Sequence, residues 1–161
     1  MKQIYLDSNI LIAYYSVDSA EEPKRLMVAS ALEVFTKLAD IQLCTSVWAL
    51  TEAVNILISA KNMPAGDVAK IESQLQSERR LHGLKIQFLE VSRDKSYDFA
   101  EFFYHVRQGI LKYHSSVGDV IHSVIIKNNG IESILTFDEK DDFKQIPGLT
   151  VLHPRNIKLP A

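Results

Sequence analysis

Cysteine is nearly missing: Cys44 is the only one in 161 residues. That excludes an internal disulfide framework and a cysteine-rich zinc site. Its position in the apolar run Ile41–Thr45 reads as a buried structural thiol rather than a reactive one. No apolar stretch approaches the ~18–20 residues needed to cross a bilayer, so no membrane span is expected. The opening MKQIYLDSN meets Asp7 after a short apolar run, which argues against a secretory signal and for a cytoplasmic location. Charge of one sign is not in excess either. Eighteen Lys and Arg against 20 Asp and Glu leave a formal charge of −2 and a pI near 6.2. A protein that grips nucleic acid by bulk positive charge is thereby excluded; a nucleic-acid partner would require local basic patches and a bound cation to offset the acids. Repeats, low-complexity tracts and linkers are absent. Residues 1–161 are therefore expected to form one domain, long enough to bury a core.

What is present is an alternation of short apolar runs and amphipathic segments. Strands are predicted at Gln3–Leu6, Ile41–Thr45, Lys85–Val91, Ser133–Thr136 and Leu149–Leu152. Between them the spacing predicts helices over Asn9–Tyr15, Pro23–Ala39, the segment from Ser46 to Ser59, Asp67–His82, Ser92–Ser115 and the segment from Gly118 to Asn128. Pro23 suits a first helical turn, Ser46 is a candidate N-cap, and Gly83 is in the position of a C-cap glycine. Leu26, Ala29, Ala31, Leu32, Phe35 and Leu38 are expected to form the apolar stripe of the second helix. Phe99, Phe102, Phe103, Val106 and Ile110 are expected to share one side of the long one. Short apolar strands alternating with helices imply a three-layer α/β/α fold with a central, mainly parallel sheet.

In such sheets ligands collect beyond the carboxyl ends of the strands. Asp7 directly follows the first strand, and Asp138 comes two residues after Thr136. Glu52 lies about two turns into the helix begun by Ser46, and Asp119 falls in the first turn of the helix beginning near Gly118. Four carboxylates from distant parts of the chain can thus converge on one edge of the sheet. Clustered carboxylates repel one another unless a cation compensates. Hard divalent ions take oxygen ligands, combine carboxylates with substrate phosphates, and activate water toward a phosphodiester.

The segments carrying these acids resemble the motifs of the PIN-domain family. Tyr5-Leu6-Asp7-Ser8-Asn9-Ile10-Leu11-Ile12 looks like the opening motif, and Ser46 with Glu52 in TSVWALTEAVNIL is similar to the second. Gly118-Asp119-Val120-Ile121-His122 resembles the third. Thr136-Phe137-Asp138, with Phe143 and Ile146-Pro147-Gly148 downstream, resembles the fourth. Any one motif is weak; four in order across nearly the whole chain are a strong signal. The resemblance implies a Mg²⁺- or Mn²⁺-dependent ribonuclease, with Asp7, Glu52, Asp119 and Asp138 as catalytic and metal-holding acids. It implies supporting roles for Asn9 and Thr136, and an additional acid at Glu139, Asp141 or Asp142, with Asp141 or Asp142 favoured. Many small members are VapC-type toxins, so a small antitoxin protein and a homodimer are the expected partners beside RNA. The competing reading is a PIN-like module that binds RNA or protein without catalysis. A receiver domain and a haloacid-dehalogenase-type phosphatase fit less well: the first would need two acids after strand one, the second Asp-x-Asp where this chain has Asp7-Ser8-Asn9.

Plainer roles compete at each position. Asp7 and Asp119 could cap helices, Glu52 could form a structural ion pair, and Asp138 could be a turn acid. The Ser46 and Thr136 hydroxyls could serve the site or merely cap. His122, three residues beyond Asp119, reads as a packing histidine, because hard-ion sites seldom use imidazole. Lys24, Arg25, Arg79, Arg80, Lys85, Arg93 and Lys95 are the candidate phosphate contacts. Phe99, Phe102, Phe103 and Tyr104 read as core and helix packing rather than a base-stacking platform.

Overall fold

The computed structural model describes residues 2–138, 143 and 146–159. Among them, strands β1 (Lys2–Leu6), β2 (Ile41–Ser46), β3 (Arg80–Leu81), β4 (Leu84–Leu89), β5 (Ser133–Leu135) and β6 (Thr150–Leu152) form one sheet in the order β3-β4-β2-β1-β5-β6. Every pairing is parallel except the β3–β4 hairpin. From β1 the chain builds outward through β2 to β4, then returns to add β5 and β6 on the other side of β1. The order therefore reverses between β1 and β5, and the carboxyl ends of strands at such a reversal are where ligands collect in open α/β sheets.

Side chains alternate across the strands and divide the interior in two. Ile4, Leu6, Leu43, Ile86 and Leu135 face one way and pack against α1 (Ser8–Tyr15), α2 (Glu22–Thr36), α3 (Val47–Ser59) and α4 (Ala65–Glu78). Tyr5, Cys44, Leu89 and Ile134 face the other way, against α5 (Phe99–Tyr113) and α6 (Val117–Asn128). This is the expected three-layer α/β/α arrangement. Cys44 is fully buried in the second core, and burial pushes its thiol up to about 12. At neutral pH it is protonated, so a thiol-specific reagent should label the folded chain far more slowly than the unfolded one. Equal labelling rates would contradict this placement.

The caps explain most helix starts. Ser46 Oγ accepts from Ala49 N (3.1 Å) at the head of α3, and Pro23 occupies the first turn of α2. The buried face of α2 is Val28, Ala31, Leu32 and Phe35, at i, i+3, i+4 and i+7. Leu26, expected in the stripe, is exposed, because that spacing turns it to the solvent side.

Three other expectations are corrected. Gly83 does not cap a helix: α4 ends at Glu78, with Arg79 in the left-handed conformation (φ 50°). His82 (φ 52°) and Gly83 (φ 79°) then form the two-residue turn of the β3–β4 hairpin. Two consecutive positive φ angles are what a tight hairpin needs to match strand twist. Gly83→Ala should therefore cost about 1 kcal/mol from left-handed strain alone, since open space surrounds the missing Cβ; a denaturant melt measures it. The long helix begins at Phe99 rather than Ser92. Asp94 Oδ1 accepts from Ser96 N (2.9 Å) and turns the chain, and Asp98 Oδ1 accepts from Glu101 N (2.8 Å) to cap the helix. On that helix Phe102 and Val106 are buried, whereas Phe99, Phe103 and Tyr104 are exposed at 71%, 49% and 52%. The packing role expected for those three aromatics is therefore overturned. Phe102, Val106 and Ile110, four residues apart, form the face toward the sheet.

Candidate active site

β1 ends at Leu6, and Asp7 emerges at the reversal point between β1 and β5. Its side chain is nearly buried and accepts from several groups. Ser8 N donates to Oδ1 (2.7 Å), while Asn9 Nδ2 (2.9 Å) and Thr136 Oγ1 (2.7 Å) donate to Oδ2. Asp7 is thus the N-cap of α1, the plainer of its two roles, and also part of a network reaching beyond that helix.

Thr136, just past β5, is the hub of that network. Its hydroxyl donates to Asp7 and accepts from Asn9 Nδ2 (2.9 Å) and Asp138 N (2.9 Å). Asn9 Oδ1 in turn accepts from Phe137 N (3.2 Å). Asn9 and Thr136 therefore lock the turn after β5 to the turn after β1, and Asp138 is anchored by its backbone to the hydroxyl that holds Asp7.

Glu52 comes from α3, on the other side of β1. Its Oε2 lies 2.6 Å from His122 Nε2, and the same nitrogen is 3.4 Å from Asp7 Oδ1. Two carboxylates separated by 45 positions in the sequence meet on one imidazole nitrogen that is 2% exposed. The plainer role weighed for Glu52 was a structural ion pair; the partner its carboxylate meets is His122. Asp119 is at the third position of α6. Ser116 Oγ caps the helix by accepting from Asp119 N (3.2 Å) and donates to Asp119 Oδ2 (2.6 Å). The preceding residue, Gly118, lies so close to Glu52 that a Cβ there would be 2.7 Å from Oε1. Asp119 thus adjoins the Glu52 carboxylate through its neighbour. Asp141 and Asp142, like Glu139, lie outside the described residues.

His122 packs as expected of a core histidine, edge-on to Tyr5 (5.7 Å) and Phe143 (6.4 Å). Yet both its ring nitrogens are engaged, one of them by the acids, so reading it as packing alone missed its place in the site. The sequence held a signal. His122 follows Asp119 by nearly one helical turn, and Tyr5 shares its strand face with Asp7 at spacing two.

Burial raises the Asp7 pKa, His122, Thr136 and Ser8 N pull it back down, and the Glu52 charge raises it again. Such a carboxylate is short of positive charge, which a cation would supply. Among the described residues no three His, Cys, Asp or Glu side chains are grouped closely enough to enclose an ion. A two-carboxylate site still fits Mg²⁺ or Mn²⁺: Mg²⁺ keeps several waters and uses one or two carboxylates together with substrate phosphates, rather than a complete protein cage. The donors are hard oxygens from two elements that meet on His122, so Asp7 and Glu52 could hold such an ion.

Few of the candidate basic residues point to the site. Arg79, Arg80 and Lys85 line a cleft with Gln42 at the opposite, amino-terminal ends of the parallel strands. Arg25 pairs with Glu22, Lys95 with Glu90, and Arg93 donates to Gln3 Oε1. Lys24 pairs with Glu21 (3.6 Å), and its ammonium lies 5.8 Å from the ring of Phe137, which precedes Asp138 in sequence.

No curated protein sequence matches the chain. Solved structures similar to it include VapC20 of Mycobacterium tuberculosis, a toxin that cleaves the sarcin-ricin loop (12% identity, TM-score 0.58, covering 91% of this chain and 98% of that one). VapBC2 of Rickettsia felis, bound to a DNA fragment from its promoter, is similar at 15% identity and a TM-score of 0.59, covering 94% and 98%. A toxin–antitoxin complex of Klebsiella pneumoniae is similar at 18% identity and a TM-score of 0.53, covering 94% and 97%. At these identities the likeness is one of fold. A PIN-domain family model matches residues 4–149, a range that contains Asp7, Glu52, Asp119 and Asp138 and stops just short of β6. The chain belongs to the PIN-domain family.

Proposed function

We propose that this protein is a Mg²⁺- or Mn²⁺-dependent endoribonuclease and the toxin of a toxin–antitoxin pair. The observation that carries the reading is the meeting of Asp7 and Glu52 on one buried nitrogen at the reversal point of the sheet. Carboxylates are not gathered this way for stability, since their mutual repulsion and desolvation are costly.

In this reading Asp7 is the principal ligand and Glu52, Asp119 and Asp138 complete the acidic site. A bound divalent cation would supply positive charge to the phosphodiester and lower the pKa of a water nucleophile. The chain's own task is positional. Ser8 N, Asn9 and Thr136 hold Asp7, His122 holds Glu52, and Ser116 holds Asp119. Lys24, beside Phe137, is the cation assigned to a neighbouring phosphate of the RNA, released from its pair with Glu21.

The toxin assignment, with a small antitoxin as partner, is supported by the toxin–antitoxin structures among the similar folds. Homodimer formation belongs to the same proposal and is supported by the exposed Phe99 and Phe103, one turn apart on α5. No helix among the described residues is long and apolar enough to cross a membrane, which accords with an RNA-cleaving role in the cytoplasm.

Purified protein incubated with RNA should cleave it internally when Mg²⁺ or Mn²⁺ is present. Excess EDTA should reduce the rate at least about 100-fold, and added Mn²⁺ should restore it. Cleavage indifferent to EDTA, or none with either ion on a broad RNA pool, would overturn the reading. Light scattering of the same sample reads the dimer directly.

A further inference from the structure

Behind the acids a line of hydrogen bonds runs through the second core. Ala49 N donates to Ser46 Oγ (3.1 Å), Ser46 Oγ is 2.6 Å from Tyr5 Oη, and Tyr5 Oη is 2.7 Å from His122 Nδ1. Beyond the ring, His122 Nε2 meets Glu52 Oε2 at 2.6 Å. Ser46, Tyr5 and His122 are all at most 2% exposed. The line begins at the amino terminus of α3 and ends on a side chain of the same helix, having crossed β1 and α6.

The polarity of this line follows from its two ends. An ionised carboxylate only accepts, so Nε2, facing Glu52 and Asp7, must carry the proton. When Nδ1 carries no proton, it accepts a hydrogen bond from the Tyr5 hydroxyl. Tyr5 Oη accepts from Ser46 Oγ, which accepts from Ala49 N. Each hydrogen is used once and each acceptor is filled. The reverse polarity would aim the Nε2 lone pair at two carboxylates and set two donors on Ser46 Oγ with its own proton unplaced. An imidazole protonated on Nε2 donates to acids; it does not ligate a cation through that nitrogen.

We propose that Tyr5, Ser46 and His122 are positioning residues of the acidic site, a relay that fixes His122 as an Nε2–H donor and thereby holds the Glu52 carboxylate beside Asp7. The proposal rests on the reading of that site as a divalent-metal site. Ring contacts from Tyr5 and Phe143 stop the imidazole from turning, and Tyr5 supplies the choice of tautomer. Tyr5 is well suited to this, since burial raises its pKa well above the ordinary value and keeps the hydroxyl proton in place. Loss of a partner that orients a ligand typically costs about 10–100-fold in metal affinity.

The test is Mn²⁺ binding, followed by electron paramagnetic resonance, in the full chain and three variants, with circular dichroism to check folding. Tyr5→Phe keeps the ring packing and the Ser46 cap but removes the hydroxyl; it should weaken Mn²⁺ binding about 10-fold. His122→Leu should weaken it at least as much. His122→Gln retains an amide donor at the reach of Nε2 and should recover part of the loss. Nitrogen NMR of the metal-free chain should show His122 protonated on Nε2 in wild type and a mixture of tautomers in Tyr5→Phe. Wild-type affinity in folded Tyr5→Phe, a Gln variant no better than Leu, or a wild type without a proton on Nε2 would overturn the relay. A wild-type chain with no Mn²⁺ affinity would instead overturn the metal reading itself, and with it the role given to the relay.

Discussion

Asp7→Asn should fold normally and lose at least about 100-fold of any metal-dependent RNA cleavage, because it removes charge where the principal ligand is placed. The change keeps the side-chain shape, and one oxygen remains to accept from Ser8 N. The other position becomes an amide nitrogen facing two donors, Asn9 Nδ2 and the Thr136 hydroxyl. Thr136 can turn its proton away, but the Asn9 contact becomes donor against donor, at a cost of about 1 kcal/mol. An opposing gain arises because the folded chain raises the Asp7 pKa, chiefly through burial. The sign follows from proton binding. A raised carboxylate pKa means the folded state binds more protons than the unfolded one, so stability is lost as pH rises between the unfolded and folded values. At neutral pH the metal-free wild type bears that cost and the asparagine variant does not. The two terms have opposite signs, so the metal-free melting temperature of the variant should fall less than the lost Asn9 contact alone would cause. Added Mn²⁺ should raise the wild-type melting temperature and leave the variant unchanged. Undiminished cleavage by a folded Asp7→Asn chain would sink the mechanism, and equal Mn²⁺ stabilisation would move the ion elsewhere.

Gly118→Ala should separate stability from activity. Gly118 is at the second position of α6, where its φ is ordinary, so alanine is allowed by the backbone and should favour the helix by about 0.5 kcal/mol. Its Cβ, however, would come to 2.7 Å from Glu52 Oε1, well inside normal contact. A free glutamate would swing aside at little cost. This one is held through Oε2 by His122, so the carboxylate must tilt or leave that hydrogen bond. Displacements below an ångström in a positioned group cost up to about 100-fold in rate. The expected result is a melting temperature equal to or above wild type with cleavage reduced about 10- to 100-fold. Unchanged cleavage would show that the position of Glu52 is not critical and would remove it from the proposed acids.

Much of the site was legible because its parts are made by short-range chemistry. Asp7 after an apolar strand, Ser46 before a helix, and Thr136 two residues before Asp138 are each local arrangements. Their backbone consequences, a strand end, a cap and a turn, are settled within about four residues. The Asp98–Glu101 cap was equally local and would have placed the start of α5 correctly. Phe99 was set in the core instead because its aromatic neighbours suggested one continuous face. Gly83 was ambiguous locally, since a glycine with positive φ serves a helix end and a hairpin turn alike; only the pairing of Arg80 with Lys85 decides between them.

By itself, then, the sequence determined the layered α/β class, the family and four acids whose strand and helix positions allow convergence. Tertiary structure alone decided which strands are neighbours, and hence that the strand order reverses between β1 and β5. It also decided that Asp7 and Glu52 share a nitrogen of His122. The physical reason is distance along the chain. Periodicity reports which face of an element is buried, but not what stands opposite. The partners of His122 are Tyr5, 117 residues away, and Glu52, 70 residues away. A buried histidine looks the same in sequence whether it faces apolar rings or two carboxylates, and only the assembled sheet and helices bring those groups to it.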